Sequence, residues 1–229
     1  MSSETAVLTR LPRANYASMV TERLRDSIVN GSLAPGSQLN VPEPATQFGV
    51  SRSPVREALQ RLIQEGLVRA EPHRGVFVPV LNEADVRDIY LAREALESAA
   101  VRHIISTSKS AQAADELDRF VERMQDAVTV GDWEAVSRYD LEFHTALVAA
   151  TGSPRLQGMF SRVISETRLC LGVLTAADAR RDLVEEHRQI TATIREGKTA
   201  EALALSHKHF EDAIVTIASR NNRTMEDTK

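Results

Sequence analysis

The stretch "GVSRSPVREALQRLIQEGLV", residues 49–68, opens at a serine, closes at a glycine and places Arg52, Arg56 and Arg61 around one short helical segment. Its apolar residues Val55, Ala58, Leu59, Leu62 and Ile63 share one side of a helix, while Ser53, Arg56, Glu57, Gln60 and Gln64 share the other. The pattern predicts a helix from Arg52 to about Glu65 with Ser51 as N-cap and Pro54 in the first turn, where a missing N–H costs little. The apolar side packs, and the polar side is left free.

Working outward, Val20, Leu24 and Ile28 recur at helical spacing from Ser18 until Gly31, and "GSLAPGSQL" reads as a turn. A second short helix runs through "EPATQFG". Beyond the opening stretch, "LVRAE" and "GVFVPV" alternate as two strands around Pro72, His73 and Arg74. Three helices followed by a hairpin make a winged helix-turn-helix. On its third helix, arginines suit guanine edges in the major groove, and serines with helix N-terminal amides suit phosphate.

From Asn82 onward the pattern is helical, with no β-type alternation. Breaks near Thr107–Ser110, Gly131, Gly152–Pro154, Ala176–Asp178 and Gly197 leave about six amphipathic helices, at 83–107, 112–130, 132–151, 155–175, 178–196 and 199–220. The fold class is therefore mainly α, with residues 1–79 as the winged helix-turn-helix and 80–229 as an all-α bundle.

Charge divides along the same line. The formal charge of −4 combines nine Arg against seven acids in residues 1–80 with 19 Lys or Arg against 25 acids in 81–229, so an acidic chain keeps a basic first block fit for nucleic acid. The sequence has no apolar run of membrane-spanning length and no signal-type N-terminus, which points to the cytoplasm and to no membrane partner. The single cysteine, Cys170, rules out an internal disulfide and a thiolate metal cluster, and its leucine neighbours give it a packing role.

Polar residues interrupt the apolar stripes of the bundle. Asp140 lies on the stripe of Val136, Phe143 and Leu147, with His144 one turn further, and His187 lies on that of Leu183, Ile190 and Ile194. At i,i+4 an aspartate and a histidine can hold one ion together. In the last helix, periodicity favours His207 over His209 as the inward residue. Arg93 and Glu97 fall mid-stripe among Val86, Ile89, Tyr90, Ala100 and Ile104, where a structural ion pair would satisfy both charges. The direction of Arg168 is not fixed by its surroundings.

"IVNGSLAPGSQLN", "FGVSRSPVREALQRLIQEGLV" and "HRGVFV" resemble the DNA-binding domain of the GntR family of bacterial transcription regulators, over residues 18–79. The resemblance implies base reading by Arg52 and Arg56, phosphate contacts from Ser51 and Ser53, and approach of Arg74–Gly75 to the minor groove. The chain departs from the family's usual E-R-x-L-A at Val41-Pro42-Glu43-Pro44-Ala45, where Pro42 replaces an arginine that commonly contacts DNA. Pro44 also forbids a regular helix from Asn40, so the second helix should start late or distorted.

"YDLEFH", "EEHRQI" and "SHKHF" resemble the FCD effector domain of FadR-type GntR regulators, with a bundle length similar to the VanR-type subgroup. That resemblance implies a metal held by Asp140, His144, His187 and His209, and so selects His209 where periodicity selects His207. A three-histidine, one-aspartate set suits Zn2+ best, with Ni2+ or another divalent ion as alternatives. The FCD pattern also turns the arginine of R-x-x-x-E to the ligand cavity, which makes Arg93 and Glu97 candidate contacts for a small carboxylate effector; Arg168, whose direction periodicity leaves open, is named as a further candidate apart from that pattern. The expectation is a homodimeric repressor binding a palindromic double-stranded DNA operator, and not an enzyme. The alternative is a metal-dependent hydrolase in which Glu97 would have to act as base.

Overall fold

A computed structural model describes residues 16–171 and 182–226, with side chains to residue 220. The expected break at Ala176–Asp178 lies outside the described residues. The first block holds α1 (Tyr16–Val29), β1 (Gln38–Leu39), α2 (Pro42–Gln47), α3 (Arg52–Gln64), β2 (Arg69–Glu71) and β3 (Gly75–Phe77). Val20, Leu24 and Ile28 of α1 and Val55, Ala58, Leu59 and Leu62 of α3 meet in one core, closed by Leu67, Val68 and Val78.

The sheet is antiparallel in the order β1-β3-β2, with Gln38 opposite Phe77 and Ala70 opposite Val76. The two-residue β1 was not apparent in the sequence, because a pair of residues carries no alternation to detect. The expected strand through Val80 stops at Phe77, after which Val78 N–H still donates to the Ser37 carbonyl at 3.0 Å. α2 starts late, as the prolines require. Pro42 and Pro44 both sit in its first turn, where their missing N–H groups cost no helical bond.

The second block holds α4 (Glu83–Ser106), α5 (Ser110–Val130), α6 (Trp133–Ala149), α7 (Pro154–Leu171), α8 (Leu183–Arg195) and α9 (Thr199–Glu226). Asn82 starts α4 with a capping box: Asp85 N–H donates to Asn82 Oδ1 at 3.0 Å, and Asn82 N–H to Asp85 Oδ2 at 2.9 Å. Asp132 caps α6 through the Ala135 N–H at 2.9 Å. α4 packs against α9, α7 and α6, and α5 against α6 and α8. No helix among the described residues is long and apolar enough to cross a membrane.

The blocks meet through α7. Leu169 packs against the winged-helix core, and the Glu166 side chain lies against Gly66, directly after α3. Gly66 has φ +77°, and a Cβ there would overlap the Glu166 side chain at Oε1. Gly31 has the same φ, but a Cβ there would meet nothing within 4 Å. Both Gly→Ala changes should cost about 1 kcal/mol through backbone strain. Gly66→Ala should cost measurably more in urea unfolding, and Glu166→Ala should erase the excess.

Candidate functional site

The arginines of the opening stretch divide by partner. Arg61 is tied into the scaffold, donating to Ser18 Oγ at 2.9 Å and to Glu57 at 2.7 Å, and Arg25 of α1 pairs with Glu65 at 2.8 Å. Arg52 and Arg56, one turn apart on the exposed side of α3, have no ion pair among the described residues. Ser51 holds the N-cap backbone conformation, yet its hydroxyl makes no capping bond, and Ser53 is equally exposed. The α3 N-terminus thus offers two free guanidinium groups and two free hydroxyls beside unsatisfied backbone N–H groups, a set suited to a polyanion. In the wing, Arg74 bonds Glu71 and lies 5.3 Å from the Phe77 ring centroid, while Gln38 clamps the Arg74 carbonyl beside Gly75 at φ +110°.

Inside the bundle, α6 brings Asp140 and His144, α8 brings His187 and α9 brings His209 into one buried group. One ligand atom from each lies within 4.8 Å of the others. His207 is exposed and bonds Glu94 at 3.0 Å, so α9 turns His209 inward, against the choice periodicity makes. His187 Nε2 lies 3.2 Å from both His144 Nε2 and Asp140 Oδ1, and His144 Nε2 lies 3.8 Å from that oxygen.

The outer nitrogens determine what this centre can hold. His187 Nδ1 meets the Leu183 carbonyl at 2.8 Å, His144 Nδ1 meets Glu97 Oε2 at 2.6 Å, and His209 Nδ1 meets Glu186 Oε2 at 2.8 Å. A carbonyl or carboxylate only accepts, so each Nδ1 carries the hydrogen and each neutral ring turns an Nε2 lone pair inward. Three lone pairs and a buried Asp140 oxygen without a hydrogen-bond partner then face one another. Donors around a tetrahedral ion with bonds of about 2.0–2.1 Å stand about 3.3 Å apart. The residues fit a divalent metal ion.

Burial alone would raise the pKa of Asp140, but the adjacent His144 and His187 outweigh it and hold the carboxyl well below its ordinary value. Burial and Arg93 depress His144, yet Glu97 and Asp140 leave it raised. Burial also raises Glu97, and His144 with Arg93 reverse that. Cys170, which burial pushes up to about 12, is an inert packing thiol.

Arg93 and Glu97 of α4 adjoin this centre. Arg93 Nε donates to Glu97 Oε1 at 2.8 Å, and its guanidinium lies 5.3 Å from the Tyr90 ring and 5.0 Å from that of Phe210. Arg93 is only 1% exposed, and its Nη2 has no hydrogen-bond partner. Both Glu97 oxygens are engaged, one by Arg93 and one by His144, which leaves the carboxylate poorly placed to serve as a hydrolytic base. The structure does not bring Arg168 to this cluster: it sits in the field of Arg25, Asp26 and Glu65 of the first block and of Glu142 on α6. Sequence reasoning missed Glu186. It directly precedes His187, but its pairing with His209 across two helices leaves no periodic signal.

Residues 16–78 match the gntR family of bacterial regulatory proteins, and residues 88–212 match the FCD domain. The chain belongs to the GntR family of bacterial transcriptional regulators. This GntR-family regulator is 30% identical over 190 residues to the HTH-type transcriptional regulator YdhC of Bacillus subtilis, spanning 82% of this chain and 84% of that one. It is 29% identical over 188 residues to a probable D-xylose utilization operon transcriptional repressor of Paenarthrobacter nicotinovorans, with 82% of each covered. A crystal structure of a GntR regulator from Rhodococcus sp. RHA1 superposes with a TM-score of 0.71 at 31% identity, covering 89% of this chain and 97% of the other.

His209 supplies a pH test. Burial first, then His187 and His144, push its pKa well below the ordinary histidine value. Such a histidine binds its proton more readily unfolded, so its stabilising contribution is complete above about pH 6.5 and is lost as pH falls below that. In metal-free protein, urea unfolding should show wild type losing more stability than His209→Gln between about pH 7.5 and about pH 5.5.

Proposed function

We propose that this regulator represses transcription as a cytoplasmic homodimer on a palindromic operator, and that a small carboxylate bound in the helical bundle changes its hold on DNA. DNA reading falls to residues 1–79, through Arg52 and Arg56 at base edges, Ser51 and Ser53 at phosphates, and Arg74–Gly75 at the minor groove. Residues 80–229 take effector sensing and dimerisation. The observation that carries the effector reading is the Arg93 guanidinium, buried with a free Nη2 beside a centre of four cation-seeking donors. A buried, unsatisfied cationic donor is costly unless an anion meets it.

Asp140, His144, His187 and His209 would hold a divalent ion, Zn2+ by the nitrogen-rich donor set. The chemistry such an ion supplies is Lewis-acid coordination of a ligand oxygen. Arg93 would bind a carboxylate oxygen of the effector, with Tyr90 and Phe210 holding the guanidinium in place and Glu97 keeping both Arg93 and His144 oriented. Repression is supported by the D-xylose operon repressor among the relatives. Pro42, in place of the family's arginine, removes one DNA contact and should give this chain an operator preference of its own.

The DNA-reading assignment is tested by titrating a duplex that the protein selects from a random pool. Arg56→Ala should weaken binding by about 1–3 kcal/mol and relax the preference at one base position in each half-site. Unchanged affinity would remove Arg56 from the reading face.

A further inference from the structure

α4 buries Val86, Ile89, Arg93, Glu97, Ala100 and Ile104, but its opposite side has no neighbour among the described residues. There, Ala84, Asp88, Leu91, Ala95, Ala99 and Arg102 recur every three or four residues, and all are exposed. Leu91 is 66% exposed, and it rims a groove between α4 and α9 lined by Tyr90, Phe210 and Ile214. An apolar leucine flanked by alanines at the middle of a 24-residue helix is a surface suited to close helix contact.

The charges on α4 indicate what covers it. Glu83 pairs with Arg87, Arg93 with Glu97, and Glu94 with His207. Asp88 and Arg102 have no ion-pair partner among the described residues. They stand seven residues on either side of Ala95, about 10 Å along the axis in each direction. A parallel copy of α4 would set like charges together. An antiparallel copy related by a two-fold axis at Ala95 sets each Asp88 opposite Arg102 of the partner subunit, and Leu91 opposite Ala99 of the partner subunit. The face is its own complement under a single operation, the one an isologous dimer uses.

We propose that the outward face of α4 is where a second copy of this chain docks, the two helices crossing antiparallel about Ala95 with two Asp88–Arg102 pairs. This rests on the dimeric reading above and names its interface. The surface lies on the same helix as Arg93 and Glu97, so both effector pockets of the dimer back onto one shared seam.

Sedimentation equilibrium on the full chain, loaded with zinc and free of DNA, tests the face. Wild type should be a dimer. Asp88→Arg and Arg102→Asp should each weaken dimerisation at least about tenfold by placing like charges together, and the double variant should restore it to near wild type. Ala95→Glu should yield monomers with an unchanged helical circular-dichroism signal. A monomeric wild type, single variants that dimerise like wild type, or a double variant weaker than either single would overturn the proposal. Selection of a duplex from a random pool is scored separately: a chain that shows the charge-swap rescue yet selects no duplex supports the interface and refutes the DNA-binding reading.

Discussion

The centre of the bundle is governed by the cost of burying charge. Arg93, Glu97, His144 and Asp140 are each almost wholly removed from water, and no one of them is tolerable alone. Arg93, Glu97 and Asp140 stay charged because they are joined: the Arg93 guanidinium meets Glu97, the other Glu97 oxygen accepts from the neutral His144 ring, and His144 stands beside Asp140 and His187. The chain of contacts fixes the ring tautomers, and the tautomers direct three lone pairs at one point. What remains unsatisfied is specific, namely one guanidinium nitrogen and one carboxylate oxygen. The first calls for an anion and the second for a cation.

The helices that carry these groups also carry the path to DNA. α4 and α6 hold the cluster, α7 packs on both, and the end of α7 reaches the winged-helix core through Leu169 and Gly66 through Glu166. Gly66 directly follows α3, whose N-terminal turn presents Arg52 and Arg56. A ligand that stabilised one placement of α4 relative to α6 would therefore bias the placement of α7, and with it that of α3. Such a ligand can shift DNA affinity only by as much as it prefers one arrangement over the other.

Much of this was legible in the sequence because local physics and tertiary structure agree there. The apolar side of α3, its serine start and its closing glycine specify the helix, and the periodicity after Asn82 specifies α4 to α6 within a few residues. The inward positions of Asp140, His144, Arg93 and Glu97 followed from the same stripes. His209 did not. His207 and His209 lie two residues apart on a helix with moderate amphipathicity, and what distinguishes them is the partners that His209 meets on other elements, Glu186 and His187 of α8 and His144 of α6. Resemblance to the FCD pattern resolved what periodicity could not. Glu186, the Arg168 environment and the two-residue β1 share one property: each is defined by a partner on another element, and a single sequence records no such pairing.

The most direct test is the affinity of the zinc-loaded protein for a duplex it has itself selected, measured by fluorescence anisotropy while small carboxylates are titrated in, and repeated after chelation and in Arg93→Met. The account predicts that at least one acid changes the affinity several-fold with zinc bound, and that the change vanishes on chelation and in the Arg93 variant. An acid that acts equally on zinc-loaded, stripped and Arg93→Met protein would contradict it, and would place the sensing site elsewhere in the bundle.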